Sequence, residues 1–172
     1  MIVVTGAAGF IGSNIVYYLN QKGIKDILIV DDLTTGPKHL NLNRLSFLDY
    51  YDKDDFLKEL PHLKHDIKTI FHQGACSDTT EHNGKYMMDV NYNYSKKLLL
   101  FAAEHNIDFL YASSAAVYGN GEHGFKEDPS CEYPLNVYGF SKLAFDNYVR
   151  KFMKKHNPSS QILGLRYFNV FG

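Results

Sequence analysis

Tyr138 and Lys142 lie four residues apart, a spacing that puts both side chains on one face of a helix. A phenol with an ordinary pKa of about 10 accepts a proton poorly near neutrality. A neighbouring ammonium stabilises the phenolate and lowers that value, so the pair can serve as a general acid and base. Two other patterns suit the same chemistry. Ser113-Ser114 can set a hydroxyl against the oxygen that exchanges the proton. Thr5-Gly6-Ala7-Ala8-Gly9-Phe10-Ile11-Gly12 can bring backbone N–H groups to an anion at a helix N-terminus, where no Cβ intrudes. Asp31 falls close to the ~20-residue offset after that turn at which an acid meets the ribose of a dinucleotide.

Each pattern is weak in isolation. The Tyr-x-x-x-Lys spacing occurs at Tyr18/Lys22, Tyr92/Lys96 and Tyr138/Lys142, and so short a motif recurs by chance. Only Tyr138 follows both a Ser-Ser strand end and a proline-bounded loop. The spacing Gly6-x-x-Gly9-x-x-Gly12 also fits plain helix–strand packing without a ligand.

Elements must position these groups. Ile2-Val3-Val4 reads as a strand, Phe10 to Gln21 as a helix carrying Ile11, Ile15, Tyr18 and Leu19 on one face, and Ile27 to Val30 as a second strand. A turn-rich loop follows over 32–43, then a weak strand near Leu45 to Leu48, a short helix over Asp52 to Leu60, and a strand at Thr69 to His72. Gly84 to His105 is the longest helical pattern, with Tyr86, Val90, Tyr94, Leu98 and Phe101 recurring on one face. Phe109 to Ala112 reads as a buried strand, 119–134 as an irregular loop of functional length, Val137 to Lys155 as a helix and Gln161 to Phe168 as a strand. Such alternation predicts right-handed βαβ crossovers, a parallel sheet and ligands at the strands' C-terminal ends.

The chain has 172 residues, 45 % of them hydrophobic, enough for a globular domain with a sizeable core. With 18 basic and 19 acidic side chains, no global field recruits nucleic acid or a membrane surface. No secretory leader pattern and no apolar run of membrane-spanning length is present, and two cysteines fit a reducing compartment, so a cytoplasmic location is expected. His62 and His65 lack partners at zinc-like spacing, so no metal site is expected. Cys76 reads either as a redox group or as a small residue packed in a turn. Lys151, Lys154 and Lys155 read as a phosphate patch or as a solvated helix C-terminus.

In order, Thr5 through Gly12, Phe71-His72-Gln73-Gly74-Ala75, Ser113 through Gly119, Pro134 through Lys142 and Arg166 through Gly172 resemble the motifs of the extended short-chain dehydrogenases/reductases. Within that superfamily, Gly74 through Thr80, Lys85 through Asp89 and Leu110 through Ser114 are similar to the nucleotide-sugar epimerases that act on ADP-heptose. The resemblance implies an α/β fold with a doubly wound parallel sheet of Rossmann type, forming a dinucleotide-binding domain over 1–172. It implies that Gly6, Gly9, Phe10, Ile11 and Gly12 hold the cofactor pyrophosphate. Asp31, Asp32, Lys38 and Lys53 would surround the adenosine ribose. Gln73, Gly74, Ala75, Cys76, Ser77 and Asn91 would line the dinucleotide, with Val170 near nicotinamide. Ser114, Tyr138 and Lys142 would form the catalytic centre, and Ser114 and Asn169 would meet substrate.

The implied reaction inverts C6″ of ADP-D-glycero-β-D-manno-heptose by transient oxidation and return of the hydride, for lipopolysaccharide core synthesis. A UDP-sugar 4-epimerase, a nucleotide-sugar dehydratase or a non-catalytic dinucleotide sensor are the alternatives. NADP is the expected cofactor, with NAD as the alternative. Asp32, where relatives often carry Asn, would repel a 2′-phosphate, whereas Lys38 could pair with it. A homo-oligomer is expected. Because such enzymes are much longer, the chain reads as an N-terminal fragment, with a second catalytic lysine and the substrate region beyond Gly172 and weak or no activity by itself.

Overall fold

The computed structural model describes residues 1–171; Gly172, the last residue of the Arg166 motif, lies outside them. Among the described residues, six strands form one sheet: β1 (Ile2–Thr5), β2 (Ile27–Asp31), β3 (Asp49–Asp52), β4 (Thr69–His72), β5 (Asp108–Ser114) and β6 (Ile162–Tyr167). Their order is β3-β2-β1-β4-β5-β6, and β1–β2, β1–β4, β2–β3 and β4–β5 pair in parallel. The helices are α1 (Phe10–Gln21), α2 (Lys53–Leu63), α3 (Gly84–Met88), α4 (Tyr94–Glu104) and α5 (Val137–His156). This is the expected Rossmann-type α/β architecture, with the strand order reversing beside β1.

The chain divides into two compact units. The first comprises Met1–Gly74, Phe101–Tyr111 and Ser160–Leu163. Its core collects Val4, Ala7, Val16, Ile27 and Ile29, with Leu45 and Phe47 packed against them. The strand expected at Leu45 to Leu48 is not there. Leu45 and Phe47 are core contacts from a loop, Leu48 is exposed, and the paired edge strand is the polar run Asp49–Asp52, in register with Leu28–Asp31. Hydrophobicity marked burial there, while backbone pairing chose the next four residues. On α1 the buried positions are Gly12, Ser13 and Val16, and Tyr18 is exposed rather than on the inner face.

The second unit comprises Ala75–Leu100, Ala112–Ser159 and the chain from Gly164. Its long helical segment is not one α-helix: a π-helical turn, Asp89–Asn93, separates α3 from α4. The extra residue rotates the inner face, so Met87, Asn91, Ser95, Leu98 and Leu99 are buried while Tyr86 is exposed. The loop over 119–134 holds one short 3-10 turn, Pro129–Cys131, and Gly119, at φ +62, could not carry a Cβ without meeting the Tyr133 carbonyl oxygen at 2.2 Å.

Candidate active site

The glycine turn of the first unit is built by close approach. Gly6 has φ +66, and a Cβ there would stand 2.6 Å from the Gly74 nitrogen. A Cβ on Gly12 would stand 2.1 Å from the Gly6 carbonyl oxygen. Gly9 caps α1 with no side-chain hydrogen bond to the first turn, so the helix meets its ligand space with bare N–H groups. Thr5 Oγ1 accepts from Gly74 N at 3.1 Å and lies 2.6 Å from His72 Nδ1, tying the ends of β1 and β4 together. Both amide atoms of Gln73 are buried without a hydrogen-bond partner. An orphaned amide beside a glycine cradle is what a polar ligand would complete, so these residues fit a dinucleotide.

At the end of β2, Asp31 is buried; its Oδ2 accepts from Ala8 N at 2.7 Å and its Oδ1 from Lys38 Nζ at 2.5 Å. Asp32 pairs with Lys53 at 3.0 Å. The Thr34 side chain and backbone, and then Lys53, hold the Asp32 carboxyl well below the usual carboxylate range. Burial works against the Lys53 ammonium, but Asp32 and Asp54 more than offset it and raise its pKa. All four rim residues singled out in the sequence therefore meet as two ion pairs.

In the second unit, Ser77, Thr79, Ser114, Ala115, Ala116, Tyr138, Tyr167, Phe168 and Asn169 line a cavity of about 510 Å³. Ser114 ends β5, and its Oγ accepts from Ala116 N at 3.1 Å, capping the short 3-10 turn Ala115–Tyr118. Asn136 caps α5 by accepting from Gly139 N at 2.8 Å, which fixes the helix start one residue before Tyr138. Gly139 lets that turn sit close: a Cβ would meet the Ala116 carbonyl oxygen at 2.7 Å. Lys142 is buried, and its Nζ donates to the Ala112 carbonyl at 2.9 Å. Burial pushes the ammonium down to about 8, opposed by Asp146 and Cys76.

The other two Tyr-x-x-x-Lys pairs are different objects. Lys22 lies over the Tyr18 ring at 5.3 Å, and Lys96 over Tyr92 and Tyr148 at 5.5 and 5.2 Å. In both, the ammonium rests on an aromatic face.

Asn91 sits in the π turn with its amide engaged: Oδ1 accepts from Cys76 N at 2.8 Å, and Nδ2 donates to Cys76 O and Ser141 Oγ. Ser141 Oγ in turn donates to the Tyr138 carbonyl at 2.7 Å. Asn91 thus fixes the backbone of the loop after β4 against the first turn of α5. Val170 is exposed and not among the cavity residues.

Sequence reasoning passed over the cavity walls Thr79, Tyr167 and Phe168 and a charged network behind them. Arg166 of β6 bonds Asp146 Oδ2 at 3.1 and 3.2 Å, the Tyr118 hydroxyl at 2.8 Å and Glu132. Arg150 also bonds Glu132. Burial would raise the Glu132 pKa, but the two guanidiniums outweigh it and hold the carboxyl below its ordinary value. The available signal was Arg166 itself, a charge inside an apolar strand, which must be paired when it is drawn inward.

The model of the NAD dependent epimerase/dehydratase family matches residues 2–172. The chain belongs to that family. A family relative from Brachyspira hyodysenteriae, described as ADP-L-glycero-D-manno-heptose-6-epimerase, is 57 % identical over 177 aligned positions that cover 100 % of this chain and 55 % of the relative. The crystal structure of Helicobacter pylori ADP-L-glycero-D-manno-heptose-6-epimerase superposes with TM-score 0.83 at 35 % identity, covering 99 % of this chain and 56 % of that one. UDP-glucuronic acid 4-epimerase from Bacillus cereus in complex with NAD gives TM-score 0.82 at 28 % identity, covering 99 % and 57 %. The chain spans about half the length of the family members it matches. Among the described residues no group of His, Cys, Asp and Glu could hold a metal ion, and no helix is long and apolar enough to cross a membrane.

Proposed function

We propose that this chain is the dinucleotide-binding part, carrying the reacting groups, of an enzyme that interconverts ADP-D-glycero-β-D-manno-heptose and ADP-L-glycero-β-D-manno-heptose at C6″. The observation that carries the reading is the joint presence of Ser114 and Tyr138 on one cavity, with Lys142 buried one helical turn behind Tyr138. The 57 % identity to a heptose epimerase supports the choice of sugar. The product serves lipopolysaccharide core assembly, in a cytoplasmic enzyme that works as a homo-oligomer.

A bound nicotinamide would supply a hydride acceptor that returns the hydride to the same carbon. Tyr138 takes the hydroxyl proton from the sugar as the carbonyl forms and gives it back as the alcohol is restored. Ser114 hydrogen-bonds the reacting oxygen, and Asn169 contacts the sugar. Lys142 places a positive charge one helical turn along α5 from Tyr138 and would orient the nicotinamide ribose. Gly6, Gly9, Phe10, Ile11 and Gly12 would bind the pyrophosphate, Gln73 to Ser77 would line the dinucleotide, and Val170 would lie near its nicotinamide. Residues outside this segment complete the substrate site, so the segment alone turns over weakly or not at all.

NADP is the cofactor we favour, because Lys38 and Lys53 stand on the rim where a 2′-phosphate would lie. Asp31, fixed by Ala8 N–H and Lys38, favours NAD as the second reading. The test is incubation of the full-length enzyme with ADP-D-glycero-β-D-manno-heptose and chromatographic separation of the two C6″ epimers. Interconversion without added reductant supports the reading. Unchanged sugar in the presence of bound nicotinamide overturns it and moves the search to UDP-sugars.

A further inference from the structure

Lys142 is an ammonium with 6 % of its surface exposed, set against the Ala112 carbonyl, which accepts from its Nζ at 2.9 Å. A lone carbonyl is a poor substitute for water around a buried charge. One turn along the same face of α5 stands Asp146, itself 5 % exposed, whose Oδ2 accepts from Ser113 Oγ at 2.8 Å. Lys142 and Asp146 therefore grip consecutive residues of β5, the former at the Ala112 backbone and the latter at the Ser113 side chain. The next residue is Ser114, on the cavity wall.

We propose that Asp146 is a positioning residue for the reaction: it fastens α5 to the end of β5 through Ser113 and supplies the counter-charge that lets Lys142 remain charged behind Tyr138. This rests on the reading of Ser114, Tyr138 and Lys142 as the reacting centre. The charged and titratable groups around Lys142 are few enough to name. From α5 itself come Tyr138 and Asp146, from the loop after β4 comes Cys76, and from β6 comes Arg166, which draws on the same Asp146 oxygen. Glu132 takes up Arg166 and Arg150, which keeps the Arg166 charge from being carried by Asp146 alone. Arg150, Glu132, Arg166 and Asp146 thus form one chain of contacts, and Lys142 lies one helical turn from its Asp146 end, within reach of that charge. Burial lowers the Lys142 pKa and the Asp146 carboxylate raises it, in keeping with this geometry.

The test reads Lys142 directly, by the pH titration of its ¹³Cε resonance in full-length enzyme labelled at lysine. Asp146→Asn should lower the midpoint by about 1 pH unit or more, the scale of one close opposite charge. Asp146→Glu should restore it. Ser113→Ala, which removes the hydrogen bond and keeps the carboxylate, should leave it in place. An unmoved midpoint in folded Asp146→Asn, or an equal shift in Ser113→Ala, overturns the proposal. If Asp146→Asn does not fold, the same Lys142 titration is read in Asp146→Ser, which must lower the midpoint likewise. An unmoved Lys142 midpoint there also overturns it. None of these readouts needs turnover, so failure of the epimerase reading is seen separately, in the sugar assay.

Discussion

Two sets of ion pairs, one at the end of β2 and one on α5 and β6, use the same residue types for opposite ends. At the rim, Lys38 is 37 % exposed and the Lys53–Asp32 pair is 31 % and 36 % exposed. Water screens the Lys53–Asp32 pair, so either charge leaves its partner at little cost, whereas Lys38 is exposed but its partner Asp31 is buried and holds it more firmly. In the second set, Glu132 and Asp146 are 4 % and 6 % exposed and Arg166 is 11 %. There a charge without its partner is costly, and the pairs hold geometry rather than adapt. The same pairing stays open to exchange where it is wet and fixes α5 to β6 where it is dry.

That contrast can be broken most severely at the reacting groups. Tyr138→Phe in the full-length enzyme should cut epimer formation by about 10²–10⁴-fold or more with the fold unchanged by circular dichroism. A folded variant that keeps its biological output without turnover would instead support a dinucleotide sensor. Next in size, Arg166→Met leaves Glu132 and Asp146 short of a partner and should cost about 3–5 kcal/mol in denaturant unfolding. Lys58→Ala, which breaks the fully exposed pair with Asp55, should leave the unfolding midpoint where it was.

The dry set also answers to pH. The Glu132 carboxyl is held below its ordinary 4.5, so its contribution is complete above that value and is lost as pH falls through the lower folded-state value. Lys142 has the same sign in a higher window: with its pKa lowered from 10.5 to about 8, the folded state sheds the proton first. Stability contributed by this group should therefore rise between pH 8 and 10.5, by at most about 3 kcal/mol. Lys142→Met should lack that rise when the two proteins are unfolded in parallel across the range. Lys38→Ala at the rim should weaken NADP binding relative to NAD by about two- to fivefold, read by calorimetry.

Much of the architecture was legible because period and punctuation agreed. Phe10–Gln21, Thr69–His72 and the start of α5 at Val137 follow directly from apolar spacing, glycine and the Asn136 cap. Two misreadings have one cause: side-chain pattern reports burial, whereas the backbone answers to hydrogen bonds. Leu45 and Phe47 are inward-facing without being a strand. The π turn at Asp89–Asn93 shifts the buried face of the long helical segment onto Met87 and Asn91, and only the amide bonds of Asn91 to the Cys76 backbone account for it. Ser114, Tyr138 and Lys142 were visible as motif positions, but the roles of Asp146, Glu132 and Arg166 were not, because they come from a meeting of separate elements.

The central claim is that protein groups move protons on oxygen while the hydrogen on C6″ travels as hydride and returns. Its most direct test is turnover of ADP-heptose deuterated at C6″ by the full-length enzyme in ordinary water. The expected result is the epimerised sugar with its deuterium retained at C6″. Loss of the label to solvent would contradict the account, since it would place proton abstraction from carbon at the centre of the reaction.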